Sequence, residues 1–368
     1  MTHFFIFNPK KYLIRKKVLI FLIVLSIAIR IFAAYPAAVE KYYSTGAYPY
    51  ISSLQRILLG WIPFSVGDLF YGAAGVYLLF SLVKLIRQIV NKRADKKYFK
   101  TVSLNFITAA LGVYVVFNLF WGLNYNRRGI DYQLNLDELN YNSEDLTRVT
   151  RLVAEKMNEL QPASKLTRQQ LQKKKYLFSH AVGAYKNLSQ HYPVINYKYP
   201  SVKPSIFSYL GNYLGFTGYY NPFSGEAQVN TTIPLFARPF TTCHEIGHQL
   251  GYAKESEANF AGYLSATASG DSAFMYAVYF EMFAYAGRYL YYTDSVALKE
   301  INGKLSPAVK NDIKELREFY RRYDTPLETA IDRLYSQYLK ANQQPSGKMS
   351  YNEVVAMLIA YYKKNGKI

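Results

Sequence analysis

Residues 102–123 read VSLNFITAALGVYVVFNLFWGL, a stretch without one charged side chain. About 20 apolar residues suffice to carry a helix through the hydrocarbon core of a bilayer. Trp121, near the end of the run, suits the aromatic belt at a membrane boundary. Working toward the N-terminus, a second apolar run starts at Val66 and closes on Lys84 and Arg87, which predicts a helix over about 66–90. Before it, Lys10, Lys11, Arg15, Lys16 and Lys17 precede an apolar run over about 18–35. Arg30 and Asp68 fall near the outer ends of their helices, where they reach headgroups or a protein partner. Ala33 and Ala34 are small enough for a signal-peptide cleavage site, but Arg30 spoils the approach to it, so the run is read as an uncleaved anchor. Between the first two runs, residues 51–61 read as an amphipathic interfacial helix stopped before Pro63.

Orientation follows from the basic residues of the short connections. The N-terminus is basic, and so is the second connection, with Lys92, Arg93, Lys96, Lys97 and Lys100; the first connection has only Lys41 and Arg56. The positive-inside rule puts the N-terminus and residues 91–100 in the cytoplasm. Three crossings then leave the rest of the chain outside, which in a bacterium means an inner-membrane protein with a periplasmic C-terminal domain.

Composition agrees with this division. The chain of 368 residues is 50% hydrophobic and 17% aromatic, too apolar for a disordered chain. Its formal net charge is +19, but the cations cluster beside apolar runs, the pattern of membrane flanks facing anionic lipid and not of a nucleic-acid surface. The partner expected is the lipid bilayer. With Cys243 as the single cysteine, neither an intrachain disulfide nor a four-cysteine zinc site is possible.

Beyond about residue 124 the chain turns polar. Asn142, Ser143, Glu144 and Asp145 predict a capped helix to about 161, and Thr167 opens another to about 190 whose lysines 173–175 form a solvated face. Residues 193–204 read as loop with a short strand, and 215–233 as two short strands around the turn at 221–225. Further helices are expected over about 241–250, 255–268, 271–292, 307–323, 327–341 and 351–364, with Ser306 and Pro307 as cap and first-turn proline of the fourth.

The chemistry concentrates in Thr241-Thr242-Cys243-His244-Glu245-Ile246-Gly247-His248-Gln249-Leu250-Gly251. On a helix, His244 and His248 share a face one turn apart, so both imidazoles can bind one Zn²⁺ at about 2.0–2.1 Å. Glu245 points beside such an ion and is placed to take a proton from an attacking water and pass it to a leaving group. The string is the H-E-x-x-H pattern of metallohydrolases, and it uses two of the chain's five histidines. A catalytic zinc of this class needs a third protein ligand and one open position. After Gly251, the candidates are Glu255 and Glu257, which face about 200° apart on a helix. Glu255 shares a face with Asn259, which suits Glu255 as the ligand and Asn259 as a hydrogen-bond partner of a histidine. Glu257 remains the alternative.

Other residues near the pattern have weaker claims. The strand 225–230 is a candidate edge for holding an extended peptide. Tyr219 and Tyr220 are candidates for lining a cleft. Glu281 lies in a largely apolar run and reads as a partly exposed helix residue or a buried supporting acid. Cys243 reads as a packed small residue, not a nucleophile.

His244-Glu245-x-x-His248 with Glu255-x-x-Ala258-Asn259 resembles the gluzincin arrangement, in which a glutamate on the following helix supplies the third ligand. The gap after His248 is short for that pattern, and Asn259 stands where Asp is commoner. Over most of its length the chain also resembles an uncharacterised bacterial membrane family, domain of unknown function 3810. The marks are Pro63-Phe64-Ser65-Val66-Gly67-Asp68, Trp121-Gly122-Leu123-Asn124-Tyr125, Pro239-Phe240-Thr241 and Glu257-Ala258-Asn259. That resemblance implies no reaction.

Together these readings predict a mainly α-helical chain: three spanning helices over residues 1–123, then an α+β zincin-like domain over 124–368 with a small sheet. The expected function is a membrane-anchored zinc metallopeptidase with a peptide or protein substrate. A non-catalytic scaffold with a structural zinc is the alternative.

Overall fold

The computed structural model describes residues 9–136, 139–342 and 351–368. Helix α1 (Pro9–Ala33) is followed by the one-turn α2 (Pro36–Ala38), a π-helical stretch Val39–Ala47, and α3 (Tyr48–Leu59). The axis turns by 96° between residues 16–33 and 36–59. Next come α4 (Val66–Val90) and α5 (Lys96–Phe120). Both start on capping side chains: Ser65 Oγ accepts from the Asp68 N–H, and Asp95 Oδ1 accepts from the Tyr98 N–H. The Asp95 cap draws Lys96, Lys97 and Lys100 into α5, so the basic connection is shorter than the sequence suggests.

By length and composition, α4 and α5 can each cross a membrane. The expected first span meets that test only as a bent pair with the segment up to Leu59. Of the three predicted spans, two therefore stand as straight apolar helices. The difference has a physical cause: residues 16–33 of α1 carry three cations, Lys16, Lys17 and Arg30, and the chain turns aside after Ala33.

The rest of the chain contains α6 (Ile130–Gln133), α7 (Ser143–Thr167), α8 (Lys174–His191), strand β1 (Val202–Pro204), α9 (Ser208–Leu214), β2 (Gly218–Asn221), β3 (Glu226–Val229), α10 (Arg238–Gln249) and α11 (Glu255–Thr267). It closes with α12 (Ser272–Thr293), α13 (Ser295–Gly303), α14 (Pro307–Tyr323), α15 (Pro326–Ala341) and α16 (Tyr351–Asn365). A reciprocal capping box between Asn142 and Asp145 starts α7, which runs on through Pro162, past its expected end. Helices α9 and α13 had no counterpart in the sequence reading. The main core gathers α7, α8, α10, α11, α12 and α16 around buried Met157, Tyr185, Phe260, Phe274 and Tyr276.

The sheet has strand order β1-β3-β2. The central β3 runs parallel to β1, with Ala227 opposite Val202, and antiparallel to β2, with Val229 opposite Gly218. Residues 225–230, expected at an edge, thus lie mid-sheet; β1 and β2 are the edge strands.

Two joints bind the apolar helices to this domain. The buried carboxylate of Glu226 on β3 accepts from the backbone N–H groups of Val66 and Gly67 at 3.1 and 2.6 Å, so the N-terminus of α4 holds the central strand. Asp68, one residue on, accepts from the Ile206 N–H at 2.6 Å and from the Tyr219 hydroxyl. The second joint is a smaller core in which Ile29 and Ala33 of α1 and Val115 of α5 pack with Tyr48, Trp121 and Tyr220. Trp121 is therefore 5% exposed inside the protein and not in a lipid belt. Its indole N–H has a protein acceptor, described below, and hydropathy along a sequence carries no sign of one.

Candidate functional site

The helix carrying the two histidines is held mainly from its C-terminal end. Gly251, at φ +88°, turns the chain out of α10, and a side chain there would strike the Tyr48 ring. The last carbonyls of a helix lack intrahelical partners; here the Gly251 N–H reaches the His248 carbonyl at 3.0 Å, and donors from the N-terminal segments supply the others and add to this one. Trp121 Nε1 donates to the His248 carbonyl at 3.0 Å. Tyr48 Oη, Ser52 Oγ and Arg56 Nη1 donate to the Gln249 carbonyl at 2.9, 3.2 and 3.2 Å. Arg127, paired through two hydrogen bonds with buried Glu40, donates to the Gly251 carbonyl at 3.1 Å. The Gln249 side chain ties the helix to the sheet by donating to the Ser201 and Gly225 carbonyls at 2.8 and 2.6 Å.

On this helix the rings of His244 and His248 stand 4.7 Å apart, edge to face. Helix α11 returns antiparallel along α10 at close range, where Gly247 and Gly262 allow it: a Cβ on Gly247 would sit 3.2 Å from the Ala258 carbonyl oxygen. That approach brings Glu255 to the histidines. Its Oε2 lies 3.4 Å from His244 Nε2 and its Oε1 3.6 Å from His248 Nε2. Glu257 is turned away, paired with Lys254 at 3.3 Å and packed against Gly129.

The Nδ1 of His248 donates to the Tyr252 carbonyl at 2.8 Å. A carbonyl can only accept, so the hydrogen belongs on Nδ1 and Nε2 faces the carboxylate. Among the described residues, His244 Nδ1 is buried without a hydrogen-bond partner. The expected bond from a histidine to Asn259 is therefore absent: Asn259 Oδ1 instead faces the Tyr285 hydroxyl at 3.5 Å. Helix α11 presents Asn259 toward α12, not toward α10.

Glu245 is buried, and its Oε2 finds no hydrogen-bond partner among the described residues. Ligand atoms of His244, Glu245 and His248 all lie within 4.8 Å of one another, a group able to hold a metal ion. Of the two carboxylates beside the rings, Glu255 has the better claim to an ion, because each of its oxygens faces one Nε2. Burial pushes the Glu245 carboxyl up to about 7 against the lowering pull of His244 and His248. Burial likewise opposes charge on His248, but the Glu255 carboxylate outweighs it and lifts the imidazole to about 9. For Glu255, burial is outweighed by the charge of His248 and hydrogen bonds from both rings, which hold it well below the usual carboxylate range.

Tyr335, on α15, went unnoticed in the sequence. Its hydroxyl donates to Glu255 Oε1 at 2.6 Å, and its ring stacks with Tyr338, 6.1 Å away. Among so many tyrosines nothing local marks it. Neither tyrosine proposed for a cleft lies as expected: Tyr219 bonds Asp68, and Tyr220 packs on Trp121 at 5.2 Å. Glu281 is half-buried, with its carboxyl raised by burial. Cys243 is fully buried, which pushes its thiol up to about 12, the behaviour of a packing residue.

Four charge-bearing side chains thus converge at one end of α10, beside an edge strand. The separation of the Glu255 oxygens from the two Nε2 atoms can be compared with that of two ligands on one tetrahedral zinc. With bonds of about 2.0–2.1 Å, such ligands stand about 3.3 Å apart. Each Glu255 oxygen stands near that separation from one Nε2, at 3.4 Å for His244 and 3.6 Å for His248. Residues 43–359 match the family model described as "Protein of unknown function (DUF3810)". No curated protein and no solved structure matches the chain.

Proposed function

The chain belongs to the DUF3810 family of proteins of unknown function, and we propose, from its site alone, that it is a membrane-anchored zinc metallopeptidase of zincin type. The observation that carries this reading is the Glu255 carboxylate facing both rings, one oxygen 3.4 Å from His244 Nε2 and the other 3.6 Å from His248 Nε2. These three side chains would hold Zn²⁺, which when bound supplies a Lewis acid that polarises a carbonyl and eases deprotonation of water. The chain's own groups do the rest. Glu245 accepts the proton of the attacking water and returns it to the departing amine, so that one water is consumed and the peptide C–N bond gives a carboxyl and an amine. The free edge of β2 offers backbone groups to an extended substrate: Gly218 lies so close to Glu245 that a Cβ would meet its Oε1 at 2.6 Å.

The basic residues around the apolar helices support a cytoplasmic N-terminus and a large domain outside the bacterial inner membrane. Protease shaving of intact cells tests this; protection of the large domain would reverse it.

The function is tested on the full-length protein in detergent. Wild type should carry one zinc and His244→Ala none; equal contents would remove the site. Glu245→Gln should keep the zinc and lose hydrolysis of a peptide library. A zinc-loaded wild type that cleaves nothing would favour the structural-zinc scaffold.

A further inference from the structure

Helix α3 is amphipathic in the reverse of the usual sense. Tyr48, Ser52, Gln55 and Arg56 are buried against the large domain, whereas Leu54, Ile57 and Leu58 are exposed, as is Trp61 just beyond, at 78%. At 3.6 residues per turn the two sets fall on opposite sides of the helix. Water penalises such an outward apolar face, and a headgroup boundary rewards it.

Geometry gives the direction of that face. Helix α1 packs along α5, which can cross a membrane, and the chain then bends by 96° into the segment 36–59. A segment at right angles to a spanning helix lies in the plane of the bilayer surface. Beyond the end of α3, at which the Gly60 carbonyl accepts from Lys203, exposed Ile206 sits beside the first turn of α4, where its N–H meets Asp68. The outward apolar residues therefore lie at the level where α4 begins and α5 ends.

The site lies at the same level. His248 is bonded through its carbonyl to Trp121, the residue that ends α5. His244 is one turn farther along, about 6 Å at 1.5 Å per residue. On the sheet side, Gly218 beside Glu245 adjoins Tyr219, which bonds Asp68 of α4.

We propose that the site works at the bilayer surface, with the apolar face of α3 seated among the headgroups, on polypeptides tethered to that same bilayer by an apolar anchor of their own. The substrate part rests on the peptidase reading above. A polypeptide suits the site better than a lipid because the free edge of β2 can pair with a backbone. Tethering confines substrate and site to one surface, which raises the overall affinity by about 10²–10⁴.

The test uses the full-length protein in phospholipid vesicles. The chain has two tryptophans, and Trp121 is buried, so the difference between wild type and Trp61→Phe isolates the Trp61 emission. Lipids brominated near the headgroup end of their acyl chains should quench it; emission like that of tryptophan in water, unquenched, overturns the seating. In the second arm, a randomised peptide library carrying a diacyl anchor is compared with the same library free in solution. We expect cleavage of the anchored library about 100-fold faster. Equal rates overturn the tethered substrate while sparing the peptidase reading. No cleavage of either library by zinc-loaded protein overturns the peptidase reading and the substrate with it, and the quenching still decides the seating. Release of fatty acid or headgroup from the vesicle lipid moves the substrate to another class and overturns the polypeptide.

Discussion

The indole N–H of Trp121 donates to the backbone carbonyl of His248 at 3.0 Å, and the two rings meet edge to face at 5.9 Å. One bond thus joins the end of an apolar helix to a residue of the candidate site. Trp121→Phe keeps an aromatic ring and removes the donor, leaving the His248 carbonyl to the Gly251 N–H, at 3.0 Å. The expected cost of the lost bond is about 0.5–1.5 kcal/mol, read as a lower melting temperature. Unchanged stability would mean that the Gly251 N–H suffices for this carbonyl.

The placement of α11 separates the two glutamates. Glu255→Ala should lower zinc affinity by more than the roughly 10–100-fold typical of residues that only support a ligand. Glu257→Gln should leave zinc affinity within a few-fold, because Glu257 faces Lys254 and Gly129. Zinc titration against a chromophoric chelator checks both, and the reverse order of effects would reassign the ligand.

Gly218 makes a sharper probe of Glu245 than any change at Glu245 itself. A Cβ at Gly218 would lie 2.6 Å from Glu245 Oε1 and 2.8 Å from its Cγ. Gly218→Ala should push the carboxylate aside, keep zinc, and slow hydrolysis by about 100-fold, the usual penalty for a misplacement near 1 Å. Full activity in the variant would show that Glu245 does not act from this position.

Far from the site, Arg168 forks onto Asp312 at 2.7 and 2.8 Å, and Tyr276 adds a hydroxyl at 2.7 Å. Burial by itself would raise the Asp312 carboxyl; Arg168 and Tyr276 outweigh it and hold the carboxyl below the usual aspartate range. A depressed carboxyl contributes stability above its unfolded value of about 3.9, and that contribution is lost as pH falls through the lower folded value. Asp312→Ala should therefore cost about 3–5 kcal/mol near neutrality, mostly by stranding Arg168. Denaturation at several pH values should find the gap between variant and wild type narrowing below about pH 4.

What was legible in the sequence was local. His244, Glu245 and His248 lie within five residues, so helical spacing alone places them together. Asn142 and Asp145 announce the start of α7 for the same reason, as do Ser306 and Pro307 for α14. What was illegible depends on distant partners. Trp121 looks like a lipid-facing residue until the His248 carbonyl is folded onto it. Residues 225–230 look like an edge until β1, more than twenty positions earlier, pairs along them. Asn259 shares a helix with Glu255, yet α12 supplies its neighbour. In α3 the alternation of apolar and polar residues is legible, but which polar residues meet protein depends on the distant Gln249 and Pro222 carbonyls.

The five donors gathered on the carbonyls of His248, Gln249 and Gly251 bear on how the protein can be handled. Four of them, Tyr48, Ser52, Arg56 and Trp121, precede residue 124. A water-soluble fragment cut at that point would keep both histidines but strip their helix of four of these five partners. It would also leave the Glu226 carboxylate buried without the amides of Val66 and Gly67. Such a fragment should aggregate on expression, and biochemistry on this chain belongs in detergent or nanodiscs.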